Sequence, residues 1–201
     1  MTKTAADYAW FENDFPAIAE AYCFTLVRDL SPAELMSRLG GQPEAPLLGI
    51  NTVVDAAFAQ YGLEEGRRQL IAMTTMGPWT LLIEPNGYLG VTEEQVLPAS
   101  AGTAWISHFT NVKAVCTFLW AEDQVLRLCF DPMFPEERWG TTPDELFDVM
   151  QRIGFHFDDD NPEPDFSPQA AFALAEHLTG VAITPALLQD TTFTCATIRI
   201  R

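Results

Sequence analysis

Chemistry in this chain would have to come from its three histidines, His108, His156 and His177, and from acids or amides held near them. His108 lies in the apolar run from Thr103 to Phe109, which reads as a strand. A half-buried imidazole bonded to backbone is the ordinary arrangement there. Glu84 and Asn86 fall in the turn Glu84-Pro85-Asn86-Gly87 at the end of another strand, where Asn-Gly suits positive φ. Glu84, Asn86 and His108 are therefore the candidates for a pocket on a sheet face, selected by residue type. His177 follows Glu176 near a helix end, where a cation complements the helix dipole. His156-x-Asp158-Asp159-Asp160 lacks a second nitrogen or sulfur ligand at zinc spacing. Counted as a calcium loop from Asp158, the tract has Glu163 where glycine is needed and Ala170 where glutamate is needed. No metal site and no cofactor are expected. No GxSxG elbow, phosphate-binding loop, GxGxxG or HExxH occurs, so no catalytic residue is assigned and the reading leans away from an enzyme.

Charge says more than motifs do. Twenty-eight acids against eleven Lys and Arg give a formal charge of −17. A field of that sign repels nucleic-acid phosphates and anionic lipid heads, so nucleic-acid and membrane-surface roles are not expected. It attracts a basic protein. The acidic contacts would come from Asp158, Asp159, Asp160, Glu163 and Asp165. Arg138 and Trp139, in what reads as a loop before a helix, would add an aromatic contact beside a cation. The N-terminus has no basic start followed by an apolar stretch, and no apolar run approaches the ~20 residues of a membrane span, so a cytoplasmic protein is expected. Cys23, Cys116, Cys129 and Cys195 are widely spaced in apolar surroundings and read as buried free thiols.

These residues must be positioned by elements that the sequence marks unevenly. Asp7 to Ala21 reads as helix interrupted at Pro16, and Tyr22 to Val27 as a strand. Ser31-Pro32-Ala33-Glu34 is a capping box with proline at the first helical position. Gln42 to Pro46 reads as loop, Asn51 to Tyr61 as helix, and Gln69 to Thr75 with Trp79 to Glu84 as a hairpin. A meander follows over Thr103–Phe109, Lys113–Leu119 and Val125–Asp131. Thr142-Pro143-Asp144-Glu145 repeats the helix-start pattern. After the acidic tract come a helix from Ser167, a short one from Thr184, and a last strand, Thr192 to Ile200. The expectation is one α+β domain over residues 1–201, with residues 157–166 as an internal acidic linker. Its antiparallel sheet would have about five to seven strands, with helices on one face and at the C-terminal end.

Several segments together resemble a family of uncharacterised acidic proteins of about this length from actinomycete bacteria. They are Leu30-Ser31-Pro32-Ala33-Glu34-Leu35, Trp79 through Gly87, Ser100-Ala101-Gly102-Thr103, Asn111-Val112, Phe130-Asp131-Pro132 and Leu178-Thr179-Gly180-Val181. The resemblance implies a full-length domain of unknown function and carries no activity onto these positions. The functional expectation is a non-enzymatic, immunity- or antitoxin-like module that docks a basic partner. The alternatives are a small-molecule binder or enzyme using a sheet-face pocket, and a scaffold subunit that self-associates.

Overall fold

The computed structural model describes residues 2–64, 67–157 and 167–200, without the side chains of residues 63, 64 and 167. In chain order, a 3-10 turn (Ala5–Tyr8) leads into α1 (Trp10–Asp14), α2 (Pro16–Ala19), β1 (Tyr22–Arg28), α3 (Pro32–Arg38), β2 (Gln42–Leu48) and α4 (Ile50–Glu64). Then come β3 (Arg68–Met76), β4 (Trp79–Pro85), a second 3-10 turn (Leu89–Val91), α5 (Glu93–Ala99), β5 (Ala104–Thr110), β6 (Cys116–Glu122) and β7 (Val125–Asp131). The remainder is β8 (Phe134–Trp139), α6 (Phe147–Ile153), α7 (Ser167–Thr179), α8 (Pro185–Asp190) and β9 (Thr192–Arg199). The acidic tract, with Asp158, Asp159, Asp160, Glu163 and Asp165, lies outside the described residues.

All nine strands form one sheet, in the order β2-β9-β3-β4-β1-β5-β6-β7-β8, with antiparallel pairing throughout. The α+β class and antiparallel sheet agree with the sequence reading, but the strand number does not. The two additional strands, β2 and β8, are the two edges. Each carries proline, at Pro43 and Pro46 in β2 and at Pro135 in β8. Proline removes a ladder donor and is tolerated where one side of the strand has no partner. Their prolines and charges made both segments look like loop.

Helices pack on both faces, which corrects the one-face expectation. Ile50, Val53 and Val54 of α4, Met150 and Ile153 of α6, Phe172 and Leu174 of α7 and Leu188 of α8 bury against Phe24, Leu26, Leu81, Ile83 and Ile106 on one side. Leu35 of α3 and Val96 and Ala99 of α5 bury against Val27, Ile71, Leu82 and Trp105 on the other. The cause is legible in β1 and β4: six consecutive buried residues in β1 and seven in β4 leave no polar face for solvent.

Local signals held where they were strongest. Ser31 Oγ accepts from the Glu34 amide while Glu34 Oε2 accepts from the Ser31 amide, completing the α3 capping box. Gly77, at φ +62°, supplies the positive φ required at the first turn position of the β3–β4 hairpin. The second Thr-Pro segment behaves differently, since α6 begins only at Phe147. Arg138 occupies the intervening turn by bonding Pro143 and Asp144. All four cysteines are buried, and none forms a disulfide among the described residues. No helix among the described residues is long and apolar enough to cross a membrane.

Candidate functional site

Successive residues of a strand point to opposite faces, so β1 sorts the polar candidates. Cys23 stands opposite Glu84, whereas Phe24 stands opposite His108. Glu84 therefore lies on the α3/α5 side of the sheet and His108 on the α4/α7 side. The two do not share a site.

Glu84 is fully buried. Its carboxylate receives the amide N–H of Leu89 at 2.9 Å and of Gly90 at 2.8 Å, so the 3-10 turn Leu89–Val91 is fastened directly onto the sheet. The Gly90 carbonyl in turn accepts from Trp105 Nε1 at 2.9 Å and from Ser107 Oγ. Burial pushes the Glu84 carboxyl up to about 7, against the opposing pull of those amides and the Cys23 thiol. The arrangement is a clamp closed by its own backbone, with no open position for a substrate atom.

Only glycine permits this approach. A Cβ on Gly90 would stand 2.2 Å from Thr25 Oγ1 and 2.8 Å from Cys23 Sγ. Gly90→Ala is expected to destabilise the fold by about 1–3 kcal/mol through overpacking, with the shift read in urea unfolding. A change within about 0.5 kcal/mol, the range of a neutral surface substitution, would show that the turn is not held against the sheet.

On the other face, His108 stacks on Phe24, with centroids 5.7 Å apart, and meets Phe172 edge-on at 4.3 Å and Tyr22 at 5.6 Å. It is 3% exposed, and its Nδ1 has no hydrogen-bond partner among the described residues. Burial lowers its pKa to about 3, so it is neutral at physiological pH. A cavity of about 10 Å³ beside it, lined by Leu26, Leu81, Val181 and Ile183, is the size of one water. Nearby, Tyr8 donates to Glu176 Oε2 at 2.6 Å and stacks on Phe172, which ties the N-terminal turn to α7. This is an aromatic core built around a neutral imidazole.

Asn86 is exposed at φ +52°, its amide donating to the Ala21 carbonyl at 2.9 Å. It belongs to neither buried cluster. It borders instead a shallow cleft with Phe58, Tyr61 and Arg68.

Arg138 and Trp139 part company. Arg138 folds inward: it donates to Asp144 Oδ1 at 2.5 Å, Pro143 O at 3.1 Å and Pro135 O at 3.2 Å, and sits 5.1 Å from the centre of the Phe147 ring. Trp139 stands opposite Cys129 at the end of β8 and is 49% exposed. Phe134, 51% exposed, opens the same edge strand just after the exposed Met133, and Glu136 and Glu137 are exposed between Phe134 and Trp139. Trp139 is legible in the sequence and Phe134 is not, because proline and charge disguise the edge strand that carries both. Among the described residues, no group of His, Cys, Asp and Glu is placed to hold a metal ion.

Over residues 1–201 the chain matches the model of DUF6461, a family of unknown function. Neither the curated proteins nor the solved structures gave a match.

Proposed function

We propose that this chain, which belongs to the DUF6461 family, is a cytoplasmic, non-enzymatic protein-binding module of the immunity or antitoxin type. Its partner presents an extended basic segment along the free edge of β8. The observation that carries this reading is the makeup of that edge: exposed Phe134 and Trp139 bracket Glu136 and Glu137 on a strand whose outer side pairs with no strand among the described residues. An unpaired edge offers main-chain donors and acceptors to an added strand. Its two glutamates repel a second copy of themselves and attract Lys or Arg, so the same charges that disfavour self-association select a basic partner. The aromatics supply apolar area that desolvates the contact. Arg138, held inward by Asp144, positions the strand instead of touching the partner. The overall charge of −17 steers a basic protein toward encounter and makes the association rate salt-sensitive.

The test compares wild type with Trp139→Ala and with Glu136→Lys/Glu137→Lys as affinity baits in lysate of the native cell, at low and raised salt. A basic protein held by wild type at low salt, released at raised salt and lost from both variants supports the reading. A partner retained by both variants removes the β8 surface. A neutral or acidic partner, insensitive to salt, removes the charge argument.

A further inference from the structure

The edge strand β2 leaves a gap beside α4. Its pairing with β9 carries one extra residue between Glu44 and Leu47, so the strand bows out of register there. On the helix side of the gap α4 presents Ala56, Ala59 and Gln60, which at spacings of three and four residues share one side of the helix. Alanine is too short to reach across. The result is an open cleft of about 450 Å³ with the buried Leu70 as its floor and Ala45 and Leu47 on the strand side. That volume falls among small-molecule sites, which run from roughly 300 to 1,000 Å³.

The polar groups of the lining are of one kind. Glu44 stands opposite Cys195, which buries in the core under α4, so the Glu44 carboxylate is on the α4 side of the sheet. Thr197 Oγ1 fixes it there by donating to Oε1 at 3.2 Å. Gln60 Oε1 is buried and accepts no hydrogen bond from the described residues. Gln60 as a whole is partly exposed, and the terminal torsion of glutamine is soft, so its oxygen can turn into the cleft to meet a donor. No lysine, arginine or histidine is among the described residues that line the cleft. An anionic and a neutral acceptor over an apolar floor are the complement of a cation with a hydrocarbon body. The formal charge of −17 concentrates such a cation near the surface and disfavours an anion.

We infer that the cleft between β2 and α4 binds a small aliphatic amine as its ammonium ion. The ammonium, a compact head with three donors, bonds the Glu44 carboxylate and the Gln60 oxygen. The hydrocarbon body displaces water from Leu47, Leu70 and the alanines. β2 and β8 are opposite edges of the sheet, so this site and the β8 reading fail separately.

The probes are n-hexylammonium, its neutral and anionic counterparts hexanol and hexanoate, and ammonium chloride, which has the head without the body. Each is titrated into the full chain at 0.15 M salt, where diffuse attraction to the acidic surface is screened beyond about 8 Å, and followed by NMR. Saturable shifts of the Ala56 and Ala59 amides and of the Gln60 side-chain amide are expected with hexylammonium. Hexanol should bind about tenfold more weakly, since it lacks the charge-assisted bonds, and hexanoate and ammonium should not saturate. Gln60→Leu should weaken hexylammonium about tenfold, and Glu44→Gln by up to about fivefold. Ala59→Leu, a change at an exposed helix position that leucine suits, fills the cleft and should abolish saturation without unfolding the protein. Absence of saturable shifts, or shifts unchanged in Ala59→Leu, would overturn the site. Hexanol or hexanoate binding as tightly as hexylammonium would overturn the ammonium ligand.

Discussion

Replacing His108 with leucine should make the protein progressively more acid-resistant than wild type. His108 is held neutral in the folded state, with a pKa of about 3 against an unfolded value of 6.5. Between those values the unfolded chain binds the proton and the folded one does not, so wild-type stability falls as pH drops from 6.5 to 3. The full span is worth about 5 kcal/mol, and about 2 kcal/mol of it is lost by pH 5. Among the described residues Tyr22 is the titratable ring in contact with His108, and burial keeps its phenol protonated, so no nearby charge offsets the effect. Near pH 7.5 the variant should lie within about 1.5 kcal/mol of wild type. It loses stacking worth about 0.5–1.5 kcal/mol but no longer buries the unpartnered Nδ1. Urea unfolding at pH 7.5, 6, 5 and 4 checks this. Parallel stability curves for the two proteins would show that His108 does not titrate within this core.

Glu84→Gln should reveal the opposite slope. The folded-state carboxyl, raised to about 7, keeps its proton over a range in which the unfolded one, near 4.5, has lost it. Its contribution is fully present below 4.5 and declines as pH rises through 7, by roughly 3 kcal/mol in all. Glutamine does not titrate. It can accept from one of the two amides at Leu89 and Gly90 but turns an NH2 toward the other, which costs about 1–3 kcal/mol where the carboxyl is protonated. The deficit of the variant should therefore be largest near pH 4.5 and shrink, or reverse, by pH 7.5. A deficit independent of pH would mean that Glu84 is ionised in the folded state throughout. Between pH 4.5 and 6.5 the His108 and Glu84 slopes oppose each other, so wild type alone shows neither. The two variants separate them.

These two residues also mark the limit of sequence reading. Both could be picked out as polar groups in or beside apolar strands, and each does reside in a strand. That they face opposite sides of the sheet follows from Cys23 pairing with Glu84 and Phe24 with His108. A shift of one residue in either register would have put them on the same face. Register likewise pairs Arg68 with Arg199, residues 131 positions apart in the chain that one ladder step brings together.

The sequence by itself determined what depends on neighbours a few residues away. The α3 capping box, the Gly77 hairpin, the strands of continuous apolar residues and the long helix α4 are set by local geometry and burial tendency, and they stand close to where they were read. Tertiary structure decided the rest. The proline-bearing segments became strands β2 and β8 because they fell at the edges, where a missing donor faces no partner. β1 and β4 collected helices on both faces because a central strand buried on two sides needs cover on two sides. Phe134 and Trp139 came to lie at the two ends of one edge strand, and Glu84 and His108 in two separate cores. Strand pairing and register, fixed by long-range contacts, set which side chains share a face.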